Sequence, residues 1–314
     1  MSTQLVAVIG ATGRQGGAVA RQLLTRGWRV RALTRRGGAA EARALTALGA
    51  EVRVADLDSP ASLEAAFHGA HGVYLVTDFW EHGLAAEVRQ GVNAVDAAAR
   101  TGIGHLVFSS VGGSDRTEGL GITHFDGKRR IERHLVGSGL PFTIFRPVTF
   151  LENFVSLRYR STIVLRGVFD FCIDPAKPFQ MVAMRDIGVF VEMAFADPDA
   201  FQGRALELAS DRCTMPEFAV ALGEHLQRPV RYRLVGPAMQ RLLALAFVAT
   251  RSVSRYKAGP SLIAQFRWNN TSATGGWDAA IDQLRKLHPG LMTIREWVRS
   301  VDWRCGLGTH ASSI

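Results

Sequence analysis

An α/β fold is predicted, a doubly wound parallel-sheet core followed by a smaller mixed α+β lobe, on three observations. Short β-branched runs alternate with Ala/Leu-rich stretches of helical period from Leu5 to Arg146; a glycine-rich turn follows the first run; and the alternation fades after Pro147. Residues 1–150 are therefore assigned to the core, to which later segments return, and 151–314 mainly to the lobe.

The first strand is read at Leu5–Ile9, its helix at Gln15–Arg26 and the second strand at Arg29–Thr34. A helix over Ala39–Leu48, closed by Gly49, leads to a third strand at Glu51–Ala55. Ser59-Pro60 opens the next helix, with proline in the first turn, before a strand at Gly72–Thr77. A long helix over Glu81–Arg100, a strand at His105–Ser109, a helix at Lys128–Gly137 and a strand at Thr143–Arg146 complete the alternation. Beyond it stand a strand at Arg204–Leu208, an amphipathic helix at Met215–His225, and a Thr293–Glu296 spacing that reads as a capping box.

Composition narrows the functional classes. Hydrophobic residues make up 47% and charged residues 21%, enough apolar material for a sizeable core. The longest apolar runs, such as Leu242–Ala249, fall well short of the roughly 20 residues of a membrane span, and the N-terminus lacks an export signal, so a cytoplasmic protein is expected. Cys172, Cys213 and Cys305 are far apart and without metal-site spacing; reduced thiols and no metal are expected. The net charge is +9, but only four of 37 basic residues are lysine, and no nucleic-acid partner is expected. Positive charge concentrates in Arg228–Arg304, with thirteen Lys/Arg against four Asp/Glu, either a solvated face or an attractor of anionic ligands and acidic partners.

The turn after the first strand reads Gly10-Ala-Thr-Gly-Arg-Gln-Gly-Gly17. Strand before and helix after are the context of a dinucleotide-binding Rossmann turn: Gly10 and Gly13 permit a tight turn and close approach to a pyrophosphate, and Gly16 lets helix and sheet pack. Strand two ends in Thr34-Arg35-Arg36, where NAD-specific sites usually carry an acid for the ribose hydroxyls. A guanidinium grips a 2′-phosphate with paired hydrogen bonds, and a missing carboxylate removes repulsion, so NADP(H) is the expected cofactor, with Arg35 first, Arg14 as helper and Arg36 nearby. Asp56-Leu57, after strand three, offers a carboxylate and an apolar shelf to an adenine; a helix-capping role for the acids there, Asp58 above all, reads equally well.

With Val73-Tyr-Leu-Val-Thr77, Phe108-Ser-Ser110, His124-Phe-Asp-Gly-Lys128 and Phe145-Arg-Pro-Val-Thr-Phe-Leu-Glu-Asn153 added, the chain resembles the NmrA-like family over nearly its whole length. That family is a branch of atypical short-chain dehydrogenases/reductases that includes quinone reductases, relatives of isoflavone reductase and redox-sensing regulators. The resemblance implies that Thr12 to Gln15 hold the pyrophosphate and Arg35 the 2′-phosphate. It also implies Thr77 and Phe79 at the middle of the cofactor, Lys128 at the nicotinamide ribose, and Pro147 to Phe150 at the nicotinamide end.

Ordinary members of the wider superfamily use Tyr-x-x-x-Lys to move a proton. Here His124 stands in place of the phenol, four residues before Lys128. An imidazole suits proton transfer near neutral pH, and it equally suits packing. Ser109, at the end of strand five, is either a substrate-polarising hydroxyl or a loop cap. Two functions fit: an NADPH-dependent reductase of a small or medium apolar carbonyl, enone or quinone, acting as monomer or homodimer, and a non-catalytic NADP(H) sensor that works through protein partners. The run Pro237–Lys257 reads as a lid over an apolar pocket or as a core helix with a basic end.

Overall fold

The computed structural model describes residues 4–236, 239 and 253–307. The segment read as lid or core helix, 237–257, lies outside the described residues over 237–238 and 240–252. By its internal contacts the chain divides into two units: residues 1–119, 123–147 and 184–207, and residues 120–122, 148–183 and 208–314.

The first unit is built on β1 (Leu5–Val8), α1 (Arg14–Thr25), β2 (Arg29–Thr34), α2 (Ala40–Ala47), β3 (Glu51–Val54), α3 (Pro60–Phe67), β4 (Gly72–Val76), α4 (Phe79–Arg100), β5 (His105–Ser109), α5 (Thr123–Gly137) and β6 (Phe142–Pro147). Strands β3-β2-β1-β4-β5-β6 pair in parallel in that order. This is the expected doubly wound Rossmann sheet. Its order reverses between β1 and β4, and the crevice at such a point, beyond the strands' carboxyl ends, is where open α/β sheets bind ligands.

Helices on both faces make the central strands continuous apolar runs. All four β1 residues are buried, as are all five of β5. Beneath one face, Ile9, Leu33, Val73, Leu75 and Phe108 meet Leu63 and Phe67 from α3, Ala94, Val95 and Ala98 from α4, and Ile131 from α5. The later segment of this unit is α7 (Met184–Ala196), followed by α8 (Pro198–Phe201) and β10 (Arg204–Leu208), which adds a seventh strand beside β6. Gly188 of α7 lets that helix approach α1: a Cβ there would stand 3.1 Å from the Ala18 carbonyl oxygen.

Two helix starts differ from the sequence reading, and both matter to the site. Asp78 accepts hydrogen bonds from the Trp80 and Glu81 N–H groups, so α4 begins at Phe79; it is interrupted at Gly83 (φ 76°), where a positive φ breaks the helical path. Helix α5 begins at Thr123, placing His124 and Lys128 one turn apart on the same element.

The second unit contains β7 (Thr149–Phe150), a 3-10 turn (Leu151–Val155), α6 (Leu157–Arg166), β8 (Val168–Phe171), β9 (Phe179–Val182), β11 (Asp211–Cys213), α9 (Met215–Leu226), β12 (Arg231–Leu234), α10 (Val253–Thr271), α11 (Ile281–Leu287) and α12 (Ile294–Ser300). Its small sheets run β11-β9-β7 and β12-β8. The core is aromatic: the Phe154 ring lies 5.1–5.6 Å from those of Tyr159, Phe169, Phe171 and Phe218. The capping box at Thr293 and Glu296 is present.

Candidate functional site

The parallel sheet delivers the ends of β1, β2, β3, β4, β5 and β6 to one edge, and the loops that follow them carry nearly every residue singled out in the sequence. At the first of these ends Gly10 takes φ +66° and its carbonyl accepts the Gly13 N–H at 2.9 Å. The chain turns within one residue pair and enters α1. A Cβ on Gly16 would stand 2.3 Å from the Gly10 carbonyl oxygen, closer than atoms can come, so the helix start rests directly on the turn. No side chain caps α1 and no acid sits in its first turn, so that terminus keeps the positive end of its dipole. Thr12 and Thr34 share a hydrogen bond between hydroxyls at 3.2 Å, tying the turn to the end of β2, while Arg14 is exposed beside it.

Arg35 stands half exposed just past β2, and here the structure corrects one expectation. No acid follows β2 in sequence, yet a carboxylate is present: the Arg35 Nη2 donates to both Glu81 oxygens at 2.8 Å. Hydrogen bonding to Glu81 raises the Arg35 pKa above its ordinary value, and the same bond holds the Glu81 carboxyl below its usual range. Charge from Asp56 and Asp78 acts on Arg35 in the same direction. The acid came from the first turn of α4, a position that period and spacing do not connect with β2. Arg36 is exposed, its backbone N–H on the Thr34 hydroxyl at 3.2 Å.

Beyond β3, the exposed Asp56 accepts the Asp58 N–H at 2.9 Å, and half-buried Leu57 is pinned by Asn93, which donates to its carbonyl at 2.9 Å. The cap of α3 is Ser59, so neither acid fills that role. Asp58 is instead gripped by Arg89 and by Gln90, and the Gln90 bond leads in holding its pKa below normal.

The end of β4 meets α4 and α5 at Lys128. Its ammonium donates to the Thr77 carbonyl and hydroxyl, both at 2.8 Å, and lies 3.1 Å from Glu87 Oε1. Glu87 is wholly buried and accepts the Thr77 hydroxyl at 3.0 Å; its second oxygen has no hydrogen-bond partner. Gly127 makes room for that oxygen, since a Cβ would lie 2.5 Å from it. Glu87 was not anticipated, although a signal existed: it continues the buried stripe Gln90, Gly91, Ala94, Val95 and Ala98 of α4, an acid at a core position.

His124 is buried at 8% exposure, its ring centroid 5.0 Å from Trp80, 5.7 Å from Phe79 and 4.7 Å from Phe125. Phe79 is itself buried. Ser109 is 2% exposed and its hydroxyl accepts a hydrogen bond from Gln15 Nε2 at 2.6 Å, linking β5 to the start of α1. Pro147 closes β6 in the first unit, and Phe150 belongs to β7 in the second. Beside Pro147, Arg146 is buried against Glu132, with bonds of 2.9 and 2.8 Å, and also meets Asp115; Glu132 in turn accepts the Ser114 hydroxyl at 3.0 Å. This ion-pair group anchors the loop after β5.

A doubly wound sheet with a glycine cradle at its switch point defines a dinucleotide-binding class of fold. Residues 2–298 match the NmrA-like family, and the chain belongs to it. It is 33% identical to the NmrA-like family domain-containing oxidoreductase hkm9 of Aspergillus hancockii over 244 residues, 69% of this chain and 70% of that protein. The fold is shared with NmrA, a negative transcriptional regulator solved with NAD (TM-score 0.79, 21% identity, 96% of this chain and 99% of that one). It is shared equally with the NADPH-dependent quinone oxidoreductase QOR2 of Escherichia coli (TM-score 0.75, 22% identity, 95% and 99%).

Proposed function

We propose that this chain is an NADPH-dependent oxidoreductase that reduces a small or medium apolar carbonyl, enone or quinone. The supporting observation is the cradle itself: a turn that only glycine fits at position 16, an uncapped helix start, and Arg35 at the end of the neighbouring strand on the same edge. On this reading Gly10, Thr12, Gly13, Arg14, Gln15 and Gly16 hold the pyrophosphate, Arg35 with Arg36 takes the 2′-phosphate, and Asp56 and Leu57 border the adenine. Thr77, Phe79 and Pro147 line the remainder, and Lys128, steered by Thr77 and Glu87, donates to ribose hydroxyls. A nicotinamide bound there supplies a hydride to an acceptor, the part of the chemistry that belongs to the cofactor.

His124 packs among rings and the Ser109 hydroxyl accepts from Gln15, which supports an acceptor that asks little of a protein proton donor. Conjugated and quinonoid acceptors, whose reduced forms are stabilised electronically, make the least demand on such a donor. The same two observations favour a second reading, an NADP(H) sensor that acts through protein partners. Calorimetry with NADPH, beside NADPH consumption with a panel of quinones and enones, separates them. Stoichiometric binding with turnover is expected; binding without turnover across the panel would favour the sensor, and no binding would overturn both.

A further inference from the structure

The reading of Arg35 as the 2′-phosphate ligand meets an obstacle in the structure: the guanidinium already holds an oxyanion. Both Glu81 oxygens lie 2.8 Å from one nitrogen, Arg35 Nη2. That nitrogen is common to the two edges through which a guanidinium forms parallel pairs of hydrogen bonds, the side edge with Nε and the end edge with Nη1. While Glu81 occupies it, a phosphate can reach Arg35 through single bonds only.

We infer that Glu81 is a specificity-determining residue of the cofactor site, an internal stand-in for the 2′-phosphate that competes with it for Arg35. The inference rests on the proposed role of Arg35 and adds a carboxylate whose effect is opposite in sign.

Three features make Glu81 suited to yield. The pair is half exposed at both ends, 51% for each side chain, so its strength is that of a surface ion pair. Its turn is short, bounded by the Asp78 cap on one side and by the Gly83 break on the other. And a 2′-phosphate carries more charge than a carboxylate, so exchange favours the ligand once it arrives. NADH, with no such phosphate, leaves Arg35 with Glu81 and meets no competition. Glu81 thereby narrows the preference for NADPH over NADH that Arg35 alone would set.

Dissociation constants for NADPH and NADH, measured by calorimetry on the full chain, test this with Glu81→Gln, Arg35→Gln and the double variant. Glu81→Gln is expected to bind NADPH two- to fivefold tighter, about 0.4–1 kcal/mol, with NADH changed by less than twofold. Arg35→Gln is expected to abolish the preference for NADPH, and adding Glu81→Gln to it to change nothing further. Weaker NADPH binding by Glu81→Gln would mean that Glu81 prepares Arg35 for phosphate, and an unchanged ratio would mean that it plays no part; either result overturns the inference while leaving Arg35 in place. An unchanged ratio in Arg35→Gln, or no binding of either cofactor, would remove the underlying reading and the inference together.

Discussion

Two cations of the candidate site each meet a glutamate, and the two pairs differ in nearly everything else. Arg35 and Glu81 are both half exposed, whereas Lys128 is 12% exposed and Glu87 is fully enclosed. Coulomb attraction near water is weak and screened, while a buried charge deprived of its partner has no water to turn to. The exposed pair is therefore exchangeable for a ligand, and the buried pair is architecture that holds one ammonium at the end of β4. Chemistry that must be reversible sits at the rim, and chemistry that must be aimed sits inside.

The contrast breaks most easily at Glu87. Glu87→Ala leaves the Lys128 ammonium with Thr77 alone in a buried setting, and urea denaturation should show a loss of about 3–5 kcal/mol. Replacing both partners by apolar residues, Glu87→Leu with Lys128→Met, should recover most of it, because no charge is then left unpaired. A loss under 1 kcal/mol for Glu87→Ala would mean that water reaches the site, and the distinction between the two pairs would fail.

Much of the first unit was legible in the sequence, and the reason is physical. Strands buried on both faces, such as β1 and β5, announce themselves as apolar runs, and in the first turn Gly16 is required by a contact that no other residue survives and Gly10 by its positive φ. Glu81 and Glu87 were less legible because their partners lie on other elements, and no period connects α4 with Arg35 or Lys128. The second unit was harder still. Its strands are short, Thr149–Phe150 being two residues, and its core is a cluster of rings drawn from α6, β8 and α9 without a repeating pattern. Helix α7 was missed for a related reason: it lies late in the chain, yet packs on α1 of the first unit.

A buried ionisable group with no counter-charge supplies an intermediate case. His105 on β5 is 1% exposed, with Nε2 against the Thr143 hydroxyl at 2.8 Å, and burial, aided by nearby His71, lowers its pKa from 6.5 to about 4. The folded state thus resists protonation that the unfolded chain accepts below pH 6.5. The stability this confers is complete above that pH and is lost as pH falls toward 4, on the order of 1–3 kcal/mol. Denaturation midpoints measured from pH 7 to pH 4 should fall accordingly, and His105→Gln should flatten that segment of the profile; an unaltered slope would assign the acid sensitivity to other groups.

The smallest effect is expected where the pair is most visible. Glu81→Ala removes the carboxylate from Arg35, but the freed guanidinium is half exposed and water replaces the lost bonds. Its stability should change by less than about 1 kcal/mol, and less again in molar salt, where the screening length shrinks to roughly 3 Å. Equal losses for Glu81→Ala and Glu87→Ala would show that exposure does not divide the two pairs. Set beside cofactor affinities, the same variant carries a sharper message: a residue whose removal barely alters folding, yet shifts the balance between NADPH and NADH, is kept for its effect on the ligand.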